Sequence, residues 1–169
     1  MRGPIVITGF MGCGKSNVAD ALAQRLKLVM VDLDEMITAR QGRTPAALIN
    51  EDGERAFRSI ETELLHQLLE SGDAGIIALG GGAWIEKANR DLIDRYSCVS
   101  VWLDVPFEVC WERIESSTEE RPLGKTKDQA RALYAHRKPI YELSAVHVSA
   151  GNDETLDTLV ARIEADLAQ

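Results

Sequence analysis

The sequence predicts an α/β protein built on an open, doubly wound parallel sheet, and three observations predict it. Five short apolar runs recur along the chain, bounded by Gly, Asp or Pro, the pattern of strands buried on both faces. Stretches whose apolar residues keep helical spacing separate them. A glycine-rich loop joins the first run to the first such stretch, at the carboxyl edge where these sheets bind ligands.

The first predicted strand is PIVIT (4–8), and it runs into GFMGCGKS (9–16). That loop fits G-x-x-x-x-G-K-[ST] in the strand–loop–helix setting the P-loop motif demands. Glycines let backbone amides turn inward around phosphate oxygens, and the following helix N-terminus adds partial positive charge. Lys15 is then placed to reach the β- and γ-phosphates of a nucleotide, and the Ser16 hydroxyl to ligate Mg²⁺. A bare tight turn would not require every fixed position of the motif. A helix over 15–27 follows, with Val18, Leu22, Ala23 and Leu26 on one face.

The second strand, LVMVD (28–32), ends in Asp32 with Asp34 two residues on. Strand alternation would put both carboxylates on one side. Two carboxylates follow apolar runs and could serve the metal, Asp32 and Asp104. Asp104 precedes Val105-Pro106, a helix start, so capping accounts for it. Capping does not account for Asp32 with Asp34, and Asp32 is the expected ligand.

Thr44-Pro45 reads as an N-cap and first-turn proline opening a short helix that ends near Gly53. The next helix, 53–71, commits Phe57, Ile60, Leu64, Leu65 and Leu68 to burial yet carries Arg58, with Glu61 in reach for an intrahelical ion pair. Alone, that pair reads as an ordinary surface one. Strand GIIAL (75–79) leads into LGGGA (79–83), where Gly80, Gly81 and Gly82 permit either close approach of a ligand or a flexible turn. Strand CVSVWLD (98–104) follows. The polar tract ESSTEERPLGKTKDQ (115–129) fits a mobile flap or a solvated loop. In ALYAHRKPIY (132–141), Arg137 lies near a helix end before Pro139, a place where solvated or dipole-facing charges are common. Strand AVHVS (145–149) and a helix over 153–168, with Leu156, Leu159, Val160, Ile163 and Leu167 at helical spacing, complete the chain.

Composition bounds the function. A chain of 169 residues fits a single domain, and 45% hydrophobic with 27% charged residues is ordinary for a globular protein. A net charge of −8 disfavours nucleic acid, so an anionic ligand must be held by a local cluster of Lys and Arg. Cys13, Cys98 and Cys110 are widely spaced and form no CxxC, which fits reduced thiols in a cytoplasmic protein. No apolar run approaches the roughly 18 residues of a membrane helix, and PIVITGF does not read as a signal peptide. Neither an N-K-x-D nor an L-S-G-G-Q occurs, which leaves a small phosphotransferase among P-loop proteins.

Taken together, GFMGCGKS, DLD at 32–34, GERAFRSIE at 53–61, GGG at 80–82, RPL at 121–123 and YAHRKPIY at 134–141 resemble the shikimate kinase family over nearly the whole chain. The resemblance implies a three-layer, nucleoside-monophosphate-kinase-like fold with five parallel strands, an acceptor-binding helical insertion at about 34–61 and a lid at about 113–127. It implies ATP-dependent phosphorylation of the 3-hydroxyl of shikimate in aromatic amino-acid biosynthesis, with small molecules as the only partners. The polar-faced last helix gives no reason to expect a dimer, so a monomer is expected. Gly12, Cys13, Gly14, Lys15, Ser16 and Asn17 would hold ATP with Mg²⁺ on Ser16 and Asp32. Arg121 would act from the lid, and Arg113 is a weaker match to an adenine-stacking arginine. Asp34 would bind the shikimate hydroxyls, while Arg58 and Arg137 grip the carboxylate beside Gly80, Gly81 and Gly82. Lys15, Asp34 and Arg121 would be catalytic. The chain departs from the family in Asn17, and in Gly124 where a second leucine usually follows R-P-L; the glycine should loosen the lid. His66, His136, His147, Trp84, Trp102 and Trp111 read as core or surface residues. A kinase of another small carboxylate or polyol, gluconate-like or aminoshikimate-like, and a catalytically silent binding homologue are the alternatives.

Overall fold

In the computed structural model, which describes residues 3–151 and 154–168, five strands form one parallel sheet. They are β1 (Ile5–Thr8), β2 (Met30–Asp32), β3 (Ile76–Ala78), β4 (Val99–Asp104) and β5 (Val146–Ser149), in the order β2-β3-β1-β4-β5. The helices are α1 (Lys15–Leu26), α2 (Leu33–Gln41), α3 (Pro45–Asp52), α4 (Glu54–Ser71), α5 (Lys87–Arg95), α6 (Phe107–Glu115), α7 (Lys127–Tyr141) and α8 (Leu156–Leu167), with a 3-10 turn at Ala83–Ile85. The expected start of the last helix, residue 153, lies outside the described residues.

The glycine loop leaves the central strand, β1, which is flanked by β3 and β4. Register aligns Ile7 with Ala78 and with Val101, and Asp32 with Ala78. The loops after β1, β2 and β3 therefore leave one edge side by side. α1 packs with α8, and α4 packs with α2, α3 and α5. The core is continuous: Val6, Ile7, Ile76, Ile77, Val101 and Leu103 of the sheet meet Leu22, Leu65 and Ile163 of the helices, all essentially without exposure. Trp84, Trp102 and Trp111 join it, whereas His136 and His147 are exposed.

Two expectations change. β2 begins at Met30 rather than 28, because residues 27–29 carry the chain off α1. Lys27 takes a left-handed turn, φ 55°, and Leu28 and Val29 are left 42% and 61% exposed. α7 runs through Pro139 to Tyr141, so Arg137 is one turn before the helix end, and it is buried rather than solvated. A proline in the last turn forgoes one intrahelical bond where few remain to be made.

Candidate active site

The P-loop turns through Gly14, φ 93°, which serves as N-cap of α1 without any side-chain cap. That leaves the first amides of α1 pointing out of the helix end. Cys13 is buried beneath the loop, and Asn17 is exposed on the first turn. Lys15 folds over the loop, donating from Nζ to Gly9 O and Phe10 O at 2.9 Å each. Arg113 reaches the same loop from α6, donating to Gly12 O at 3.2 Å.

Ser16 Oγ donates to Asp32 Oδ2 at 2.5 Å, which brings the two expected metal-site oxygens together. The other oxygen of Asp32 accepts from the amides of Asp34 (2.9 Å) and Glu35 (3.2 Å), so Asp32 is also the N-cap of α2. This reverses the sequence reading of which aspartate caps a helix. Asp104 does not cap α6: the N-cap there is Pro106, and among the described residues the only ionic partner of Asp104 is Lys138 at 3.9 Å. The helix after Asp32 begins at once, whereas Val105 and Pro106 stand between Asp104 and α6. Asp34 consequently lies in the first turn of α2, not on the strand, and alternation is not what sets its direction.

The triple glycine is where the remaining side chains converge, and each glycine faces a different one. A methyl at Gly80 would lie 2.7 Å from Asp34 Oδ1, one at Gly81 3.5 Å from Arg137 Nη1, and one at Gly82 2.1 Å from Arg58 Nη2. The close approach leaves no room for a side chain at 80 or 82 unless Asp34 or Arg58 is displaced. A carboxylate and two guanidiniums thus line one backbone turn at the edge of the sheet. Burial raises the pKa of Asp34, as does neighbouring Asp32, while Lys15, Arg58 and Arg121 pull it down.

Arg58 is not half of a surface pair. It donates to Glu61 Oε1 at 2.8 Å, and Glu61 is sealed from water. Burial pushes the Glu61 carboxyl up to about 7, against the pull of Arg58 and with a further push from Asp34 and Glu86. Burial opposes the charge of Arg58, but Glu61 and Glu54 hold its pKa above the usual value. Arg137 is buried too, with no acidic partner among the described residues. A buried cation without a counter-charge is costly, and an incoming anion would relieve it. Arg121 lies in the loop 116–126 between α6 and α7, paired with Glu119 at 2.7 Å.

Two residues of the site went unread in the sequence. Glu61 was seen only as the partner of Arg58, because i,i+3 spacing does not reveal burial. Tyr141 lies one turn beyond Arg137 and donates from its buried hydroxyl to Gly81 O at 2.5 Å, fastening the glycine turn to α7. Its i+4 spacing from Arg137 was the available signal.

The family model described as shikimate kinase matches residues 11–168. A shikimate kinase of Ruegeria pomeroyi is 36% identical over 167 residues, 97% of this chain and 84% of the relative. One from Symbiobacterium thermophilum is 37% identical over 170 residues, covering 98% and 96%. Among solved structures, shikimate kinase from Acinetobacter baumannii in complex with shikimate superposes with a TM-score of 0.90 at 28% identity, covering 99% of this chain and 94% of that one.

Proposed function

Because the chain belongs to the shikimate kinase family, we propose that the edge of its sheet transfers the γ-phosphoryl group of ATP to the 3-hydroxyl of shikimate, with the residue roles that follow. The observation that carries this reading is the glycine turn, where one carboxylate and two guanidiniums face Gly80, Gly82 and Gly81. A cyclic polyhydroxy carboxylate asks for that set: an acceptor for its hydroxyls and guanidinium forks for its carboxylate.

Arg137 and Arg58 bind the carboxylate, and the reacting hydroxyl turns toward Asp34. Asp34 accepts a hydrogen bond from that hydroxyl and takes its proton as the oxygen attacks phosphorus; the bond to the bridging oxygen breaks and ADP leaves. Its raised pKa suits a proton acceptor, although a loose transition state demands little base strength. Lys15 is an ammonium with three donors, two of them now on loop carbonyls, and it exchanges these for phosphate oxygens. Loop amides from Gly12 to Asn17 bind the phosphates, and Arg113 flanks the nucleotide. Arg121 adds positive charge over the transferred group, where stabilisation of spread negative charge is the main catalytic term.

Ser16 and Asp32 suit Mg²⁺. Both present hard oxygens, they are within hydrogen-bond distance of each other, and Mg²⁺ in kinase sites takes few protein ligands beside phosphates and water. When bound, the ion neutralises phosphate charge. The loop 116–126 acts as a lid, excluding water that would otherwise accept the phosphoryl group.

Mg²⁺–ATP turnover with a panel of acceptors tests the reading, measuring ADP and phosphorylated acceptor. Shikimate should give stoichiometric product; ADP release with gluconate or another acid, and none above buffer with shikimate, would reassign the acceptor.

A further inference from the structure

Residues 118–125, which include Arg121, bond mostly to themselves and to the adjoining helix end. Glu119 N donates to Ser117, Gly124 N donates to Arg121 O, and Arg121 pairs with Glu119. Among the described residues, one hydrogen bond reaches from this stretch to a distant part of the chain: Asn50 Nδ2 donates to Glu120 Oε1 at 2.8 Å across 70 positions of sequence. Asn50 belongs to α3, which joins α4 at Gly53, and α4 carries Arg58 in its second turn. The bond therefore ties the loop of the phosphate-side arginine to the helical hairpin of the acceptor-side arginine.

The other end of the stretch rests on the nucleotide loop. A methyl at Gly124 would lie 2.4 Å from Met11 Cε, so the methionine occupies the space a side chain at 124 would take. Gly124, expected to loosen the lid, is the notch that receives Met11. Arg121 lies between the two anchor points. One anchor faces the acceptor side, the other the nucleotide side.

We propose that Asn50 and Glu120 form a clasp that positions Arg121, hooking the lid onto the acceptor-side helices so that the lid closes over a site whose acceptor half is in place. The proposal rests on the phosphoryl-transfer reading above. Neither residue touches substrate; both act through Arg121. For a loop with so few anchors, one charge-assisted hydrogen bond is enough to shift closed against open conformations severalfold. Glu119 and Glu120, adjacent and identical, then do different work: the first holds the arginine within the lid, the second holds the lid to the body.

The polarity of the bond supplies the test. In Glu120→Gln the new amide oxygen still accepts from Asn50, and turnover should stay within about twofold of the parent, as expected when a hydrogen bond is kept. Asn50→Asp sets carboxylate against carboxylate and should cut kcat about fivefold, with more ADP formed per shikimate phosphorylated, at little change in the KM for shikimate. In Asn50→Asp with Glu120→Gln the bond is remade in the opposite direction, and both coupling and kcat should recover. Tryptic cleavage after Lys125, followed without substrates, reads the clasp apart from the reaction: faster in Asn50→Asp, and slowed again in the double variant. Wild-type turnover of shikimate checks the underlying reading separately. An Asn50→Asp protein indistinguishable from wild type, or a double variant as impaired as the single one, overturns the clasp.

Discussion

Arg58 donates to a carboxylate that water does not reach: its Nη1 lies 2.8 Å from Oε1 of Glu61, which has no exposed surface, while the second oxygen of Glu61 is buried with no hydrogen-bond partner among the described residues. The pair places a guanidinium at Gly82 and fixes its direction, at the cost of an incompletely satisfied anion. That tension between orientation and burial shapes how the acceptor half of the site should respond to mutation and to pH.

Removing the arginine should weaken acceptor binding more than it slows chemistry. Arg58→Ala forfeits a charge-assisted contact worth about 1.5–3 kcal/mol, so the KM for shikimate should rise about ten- to hundredfold, with a smaller change in kcat. Glu61, left without its cation, would take up a proton near neutral pH rather than remain charged. Initial rates at saturating ATP separate the two parameters; a fall confined to kcat would move Arg58 out of the binding role.

The pH dependence has a definite sign. Glu61 is pushed up to about 7 by burial, so it ionises across neutrality. Once ionised it engages Arg58 more strongly and adds negative charge beside an anionic acceptor. The KM for shikimate should therefore rise as pH passes upward through about 7, by at most about tenfold per unit. In Glu61→Gln that portion of the profile should flatten. Stability follows the same proton: with its folded pKa above the unfolded value, Glu61 makes folding less favourable as pH climbs from about 4.5 to about 7. A profile of KM against pH that is equally steep in both proteins would remove Glu61 as its source.

How much of this was legible in the sequence depended on whether the signal was local. The P-loop, the five strands and the Thr44-Pro45 helix start could be read because their determinants are neighbours in the chain, and Thr44 does cap α3. The cap given to Asp104 and denied to Asp32 failed on spacing: a cap must adjoin the helix, and two residues separate Asp104 from α6. Arg137 and Glu61 read as surface charges because burial comes from elements packed over them, which no single-helix pattern encodes. The meeting of Asp34, Arg137 and Arg58 on successive glycines is likewise a product of packing, since α2, α7 and α4 bring them there from distant parts of the chain.

Those glycines make a prediction that separates binding from turnover. An alanine at 80 would press on the Asp34 carboxylate at 2.7 Å, and one at 82 on the Arg58 guanidinium at 2.1 Å. Neither glycine has a left-handed φ, so the backbone bears no extra strain and the effect is one of displacement. Gly80→Ala should lower kcat, and Gly82→Ala should raise the KM for shikimate, each by about tenfold if the displaced group loses its contact. Equal effects of both substitutions on both parameters would mean that the turn collapses as a unit.

The double duty of Asp32 allows its metal role to be isolated. One oxygen meets Ser16 and the other caps α2, so most substitutions would damage both functions. Asparagine is the exception, since it caps helices as well as aspartate does and keeps an acceptor for the amides of Asp34 and Glu35. Asp32→Asn should thus cost less than about 1 kcal/mol of stability. It nevertheless removes the only formal negative charge of the Ser16–Asp32 pair, so the Mg²⁺ concentration for half-maximal rate should rise about tenfold or more. Asp104→Asn is the matched comparison, because Asp104 does not cap α6 and its sole ionic partner among the described residues is a distant Lys138. It should leave both the melting curve and the Mg²⁺ titration in place. A shifted titration in Asp104→Asn together with an unshifted one in Asp32→Asn would transfer the metal to the end of β4.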